Sequence, residues 1–200
     1  MKLFTKLAAA AAVAAATISA PAMAGEKGFY ATGSFGFNQA NDIDVDVISG
    51  TDYTIEPDSG VALDLGVGYD FGDNFRLEAT WDRMVSNEGN RTDTGKYDND
   101  TTVDSYLASL YYDFNSNSKW SPFLGLSVGS TTASLGGVTG DNDASSFSYG
   151  VQAGVSYEAS EKIDVFGKIS YLRVNDLDYD TLYDVNTGAW SAKLGARFRF

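Results

Sequence analysis

Gly188-Ala189-Trp190-Ser191-Ala192-Lys193-Leu194-Gly195-Ala196-Arg197-Phe198-Arg199-Phe200 alternates without a slip. In an extended strand successive side chains point to opposite faces. Trp190, Ala192, Leu194, Ala196, Phe198 and Phe200 therefore share one face, and Ser191, Lys193, Gly195, Arg197 and Arg199 share the other. One side is apolar and the other cationic. A soluble sandwich strand could alternate in the same way, so the segment decides the fold only together with what precedes it.

Seven earlier segments repeat the pattern, separated by clusters of Gly, Asn, Asp and Ser with no helical stretch between them. The first three have apolar sets Phe29, Ala31, Phe35, Phe37, then Val61, Leu63, Leu65, Val67, Tyr69, then Phe75, Leu77, Ala79, Trp81. The fourth sets Tyr106, Ala108, Leu110, Tyr112 and Phe114 against Ser105, Leu107, Ser109, Tyr111 and Asp113. Pro122, Leu124, Leu126 and Val128 mark the fifth. In the sixth, Phe147, Tyr149, Val151, Ala153, Val155 and Tyr157 oppose Ser148, Gly150, Gln152, Gly154, Ser156 and Glu158. Ile163, Val165, Ile169 and Tyr171 mark the seventh. Each segment is about 9 to 12 residues long, the length a tilted strand needs to cross a bilayer.

The N-terminus reads as a secretion signal: Lys2 and Lys6, an alanine-rich apolar run, and the small-x-small site Ala22-Met23-Ala24. Residues 1–24 are expected to be removed, leaving residues 25–200 as a single domain. An aromatic-ended alternating strand that closes an exported chain points to the last strand of an outer-membrane barrel. No run reaches the roughly 18 apolar residues of a spanning helix.

Connections sort by length. Residues 71–74, 115–121 and 159–162 are short, whereas 41–59, 87–102, 130–145 and 175–187 are long, polar and acidic. Outer-membrane barrels pair short periplasmic turns with long extracellular loops. The expected fold is all-β: a closed, antiparallel, up-and-down eight-stranded transmembrane β-barrel with both termini on the periplasmic side. Tyr69, Tyr112, Tyr157, Phe198 and Phe200 fall at predicted inner strand ends, and Trp81, Tyr149, Tyr171 and Trp190 at outer ends. They are expected to form two aromatic girdles. In the first long connection, Ile43, Val45, Tyr53 and Ile55 keep strand parity around Ser49-Gly50-Thr51-Asp52. That allows a hairpin extending the first two strands, or an extra hairpin making ten.

The net charge is −13, and disfavours nucleic acid as a partner. The chain holds no Cys and no His, which removes disulfides, zinc–histidine sites and every histidine-based catalytic scheme. Asp42-x-Asp44-x-Asp46 lacks the Gly and the terminal Glu of a calcium loop, so no metal site or cofactor is expected.

The strand end Leu110-Tyr111-Tyr112-Asp113-Phe114, the strand Pro122-Phe123-Leu124-Gly125-Leu126-Ser127-Val128-Gly129 and the terminal Gly195-Ala196-Arg197-Phe198-Arg199-Phe200 carry a resemblance. The chain resembles the small eight-stranded barrels formed by the transmembrane domain of outer-membrane protein A and by opacity-type surface proteins. The resemblance implies a Gram-negative outer membrane, contact with its lipid and lipopolysaccharide, and assembly by the barrel-assembly machinery. It also implies that Leu194, Phe198 and Phe200 are read by that machinery. The peptidoglycan-binding domain of full-length outer-membrane protein A has no counterpart in this sequence, and neither has the histidine of the barrel enzymes.

The inward face is expected to carry a charge network of Asp64, Arg76, Glu78, Asp82, Asp113, Glu158, Lys168, Lys193, Arg197 and Arg199, with Gln152. Buried charges must be paired. Parity and depth suggest Glu78 with Lys168 or Arg197, and Asp64 with Arg76. Inward glycines, among them Gly66, Gly68, Gly125, Gly154 and Gly195, are expected to leave space beside long Arg and Lys side chains. Such a lumen is either a polar core or a narrow water-filled pore; in a wet lumen, charge at Ser127 would be milder than charge on the lipid face. The leading function is a non-enzymatic structural or surface-interaction protein whose acidic loops meet an unidentified ligand. A porin-like channel for ions or small solutes is the alternative.

Overall fold

A computed structural model describes residues 27–41, 43–45, 53–57, 59–86, 89–91, 95–97, 101–114, 118–135, 143–178 and 184–200. The expected signal segment and the Asp42 and Asp46 positions of the calcium-like run lie outside them. Twelve strands form among the described residues. They are β1 (Gly28–Ala40), β2 (Ile43–Val45), β3 (Tyr53–Pro57), β4 (Gly60–Asp70), β5 (Phe75–Ser86), β6 (Gly89–Arg91), β7 (Gly95–Tyr97), β8 (Thr101–Asp113), β9 (Trp120–Leu135), β10 (Asp143–Glu158), β11 (Ile163–Asp178) and β12 (Asp184–Arg199). Eight close into one antiparallel barrel, β1-β4-β5-β8-β9-β10-β11-β12. First strand meets last from Tyr30↔Arg199 to Ala40↔Ala189, as the sequence predicts.

The alternation inverts the arrangement of a soluble core. Phe35 and Phe37 are each 70% exposed and Leu194 is 68% exposed, while Asp64 is 1% and Lys193 3%. In water so large an apolar belt would drive association; in lipid it is the solvated surface. The fourth segment keeps its expected register, with Tyr106, Leu110 and Tyr112 outside and Ser105, Ser109 and Tyr111 buried. A transmembrane sheet must close, because lipid offers no partner to an unpaired backbone edge.

The short connections lie at the barrel end that carries the start of β1 at Gly28 and the end of β12 at Arg199. In the first of them, Gly72 (φ +79°) and Asn74 (φ +69°) adopt left-handed conformations open to Gly and tolerated by Asn. The Gly72 N–H donates to Asp70 Oδ1 at 2.8 Å, and Asn74 Nδ2 donates to the Asp113 carbonyl at 2.9 Å. Edge-to-face pairs ring this end: Phe29–Tyr69 at 4.9 Å, Phe75–Tyr112 at 5.1 Å and Phe198–Phe200 at 5.4 Å. Trp120, absent from the predicted girdle, packs on Tyr157 at 4.7 Å. At the opposite end Tyr171 and Trp190 lie 4.8 Å apart, and Phe147 and Tyr149 6.4 Å apart.

The long connections differ from expectation. Strands β9 to β12 each run 16 residues. Pairing continues to Ser134↔Asp143 and, past a register shift between Val174 and Leu177, to Asp178↔Asp184. Much of 130–145 and 175–187 is therefore hairpin rather than loop. Beyond the bilayer both strand faces meet water, so the alternating pattern that marks a strand disappears while backbone pairing persists. The first long connection does form a hairpin, Ile43↔Ile55 and Val45↔Tyr53. It stays outside the barrel, which keeps eight strands. Through Ile55↔Arg91 it joins the hairpin of the second connection in a separate sheet, β2-β3-β6-β7.

Closure without a free edge has a simple consequence. Unheated protein is expected to migrate faster on a denaturing gel than boiled protein, because detergent must break a whole strand interface to open the ring. Equal mobility would contradict the closed ring.

Candidate functional site

Inward residues of the eight strands converge on the barrel axis, and the register determines which charges become neighbours. Asp64 on β4 lies directly opposite Asp82 on β5, and Lys168 on β11 lies directly opposite Lys193 on β12. Like charges facing each other on one sheet are destabilising. Each pair is tolerable only because closure brings the two walls together across β1. There Ser34 lies opposite Asp64 and Gly36 opposite Lys193. Lys168 Nζ is 2.8 Å and Lys193 Nζ 3.2 Å from Asp64 Oδ2, and Lys193 also pairs with Asp82. Ser34 Oγ donates to Asp64 Oδ1 at 2.6 Å.

These partners correct the pairs expected from parity and depth. Asp64 does not meet Arg76: Arg76 lies opposite Asp70, six residues further along β4, or about 20 Å at the rise of a strand. Arg76 instead binds Asp113 on the adjacent strand, at 2.5 and 3.0 Å. Glu78 pairs with neither Lys168 nor Arg197; it accepts a hydrogen bond from Thr80 Oγ1 at 3.0 Å and lies 3.5 Å from the Tyr111 hydroxyl oxygen. Arg197 lies 3.6 Å from Asp164, which also pairs with Arg199. Asp164 was not singled out in the sequence. Glu158 is half-buried at the turn end, with no cation within 4 Å among the described residues.

The turn-end half of the lumen is filled by aromatic rings that sequence reasoning passed over. Tyr30, Tyr111, Phe123 and Phe166 are buried on the polar face. The Arg76 guanidinium lies 4.6 Å from the Tyr111 ring centroid and 5.5 Å from that of Phe123, and Arg197 is 5.4 Å from that of Tyr30. Each ring lies against a glycine directly opposite in register: Tyr30↔Gly68, Tyr111↔Gly125, Phe123↔Gly154 and Phe166↔Gly195. A Cβ on Gly125 would come within 2.5 Å of Tyr111, and one on Gly154 within 2.5 Å of Phe123. Gly68, Gly125, Gly154 and Gly195 thus admit rings rather than the Arg and Lys stems expected there, whereas Gly66 lies against Thr32 and Glu78. The pairing is visible only with the register in hand, which sets each inward aromatic opposite a glycine on the next strand.

Above this plug, Ser109 Oγ and Ser127 Oγ lie 2.8 Å apart, and Gln152 Nε2 donates to Ser127 at 2.6 Å. Gln152 Oε1 in turn accepts from the Tyr111 hydroxyl at 3.0 Å. The void beside Thr80, Asp82, Gln152 and Lys168 measures about 20 Å³, room for about one water. Ser127 lines this void and otherwise packs against Ser109 and Gln152, which favours the polar-core alternative over the water-filled one. Among the described residues no three His, Cys, Asp or Glu side chains converge as metal ligands. Leu194 and Phe198 project from the lipid face, and Phe200 closes the ring through its N–H to the Phe29 carbonyl at 3.1 Å.

A family model described as outer membrane protein beta-barrel domain matches residues 8–198. No curated protein sequence matches the chain. Neisserial surface protein A, in its crystal structure, is similar at 23% identity and a TM-score of 0.63, over 88% of this chain and 99% of that one. OprG, an outer membrane protein of Pseudomonas aeruginosa, is 17% identical with a TM-score of 0.63, covering 90% and 98%. Outer membrane protein AlkL, solved in lipid bilayers, gives 16% and 0.51 over 91% and 93%.

Proposed function

Because the chain belongs to the outer membrane protein beta-barrel domain family, we propose that it is a non-enzymatic barrel whose acidic long-loop end meets partners at the cell surface. The barrel resides in the outer membrane, and the general pattern of such barrels, with long extracellular loops and short periplasmic turns, supports reading the long connections as the cell-surface end. The filled lumen carries this reading. With rings, salt bridges and a void of about 20 Å³ on the axis, exchange with other molecules is left to the outer end. There the sheet β2-β3-β6-β7 ties the first two long connections together. Asp42, Asp44, Asp46, Asp52, Glu56 and Asp58 give the first connection a strong negative charge in sequence, which supports a cationic ligand, or divalent ions shared with lipopolysaccharide phosphates. Leu194, Phe198 and Phe200 serve recognition by the barrel-assembly machinery.

The shared ion pairs favour the alternative, a narrow pore. Asp64 has two lysine partners and Lys193 two aspartates, so partner exchange could shift the constriction. Planar-bilayer recording separates the two. Purified protein is expected to give no conductance steps; reproducible steps that change with Lys193→Met would replace the surface reading with the pore. A deletion strain is expected to lose surface adhesion or envelope integrity while keeping normal solute uptake.

A further inference from the structure

The lipid-facing wall is uneven. On β10, β11 and β12 three small outward residues lie close together: Ala153 and Ala192 both face Ile169, and Gly167 faces Leu194 one row away. They lower the surface locally. Phe35, Phe37 and Leu194 stand along one side and Val155 along the other, enclosing an open apolar groove of about 710 Å³. Toward the loop end the groove meets the Tyr171–Trp190 pair, and two residues beyond Tyr171 the exposed Arg173 lies opposite Tyr149. Among the described residues no carboxylate lies within 4 Å of Arg173. Arg83, also outward at that end, is by contrast held by Asp104 at 2.7 and 2.8 Å.

We propose that this wall is a binding site for one phosphorylated lipid of the outer leaflet, with its phosphate on Arg173 and an acyl chain in the groove. Ile169 and Arg173 are four residues apart, about 13 Å along the strand. That separates a headgroup from the carbons of its own chain. Tyr171 and Trp190 lie between, where amphipathic rings mark the membrane–water interface. Each part of the lipid thus meets matching chemistry at its own depth. A second copy fits less well, because a twofold contact sets the groove against itself and leaves the concavity unfilled. The site depends on the outer-membrane location and not on the surface-partner reading, so a missing surface ligand leaves it untouched.

The test uses the full barrel with Trp81→Phe and Trp120→Phe, leaving Trp190 as its only tryptophan. It is reconstituted in phosphatidylcholine vesicles containing a small fraction of phosphatidylglycerol with brominated chains. Trp190 quenching is expected to report phosphatidylglycerol enriched about fivefold over its mole fraction at low salt, the ratio one surface cation supplies. Arg173→Gln is expected to return that lipid to its mole fraction. Gly167→Leu fills the groove and is expected to abolish the enrichment while leaving the heat-dependent gel shift intact; a Cβ there meets only the tip of Leu194, at 3.3 Å. Quenching that follows mole fraction in the parent, or enrichment unchanged by Arg173→Gln, would overturn the site. Energy transfer between labelled copies that Gly167→Leu removes would make the wall a protein contact and overturn it too.

Discussion

Asp64→Ala is expected to cost the barrel about 3–5 kcal/mol, the range for removing one partner of a buried ion pair. The Asp64 carboxylate holds both Lys168 and Lys193 and is almost wholly buried. Its loss leaves the Lys168 ammonium without an anion within 4 Å among the described residues, whereas Lys193 retains Asp82. The double variant Asp64→Leu with Lys168→Met is expected to recover most of the loss, since exchanging a buried pair for apolar groups is often neutral. Urea unfolding in lipid vesicles measures both. If the double variant is as unstable as the single, Asp64 acts through something other than its lysines.

Leu65→Arg is expected to cost about 2–4 kcal/mol, the penalty for a cation at the lipid-facing midplane of a barrel. Leu65 lies outward between Gly33 and Trp81 on its neighbouring strands. Val151→Arg, on the other side, should behave alike, and Leu65→Phe should leave stability near that of the parent. Ser127→Arg is no longer the mild comparison that a wet lumen would make it. Ser127 is packed against Ser109 and Gln152 and lines a void of only about 20 Å³, too small for a guanidinium, so its cost should at least equal that of Leu65→Arg. Vesicle unfolding that shows no penalty for Leu65→Arg would place that face in water.

Alternation between Gly188 and Phe200, repeated seven times, was enough to assign every strand of the barrel to a lipid face and a lumen face. Side-chain direction follows from backbone geometry one residue at a time, so no knowledge of partners is needed. The same locality explains the misjudged loops. From Ser130 to Asp143 and beyond Val174, no apolar face is required, and continued pairing leaves no trace in composition. The union of β3 with β6 was equally hidden: the parity of Ile43, Val45, Tyr53 and Ile55 allowed the first hairpin, but nothing in the second connection marked its partner.

The charge network was legible as a set of residues and illegible as a set of pairs. Parity places Asp64, Asp82, Lys168 and Lys193 on the inside, but in the open sheet the acids face each other and so do the lysines. Only when β12 docks on β1 do the two repelling walls meet and neutralise each other, over strands more than a hundred residues apart in the chain. The glycine–aromatic plug became readable only once the register was known. A residue's own backbone decides which way its side chain points, whereas a charge finds its counter-ion through space, and that space exists only once the ring has closed.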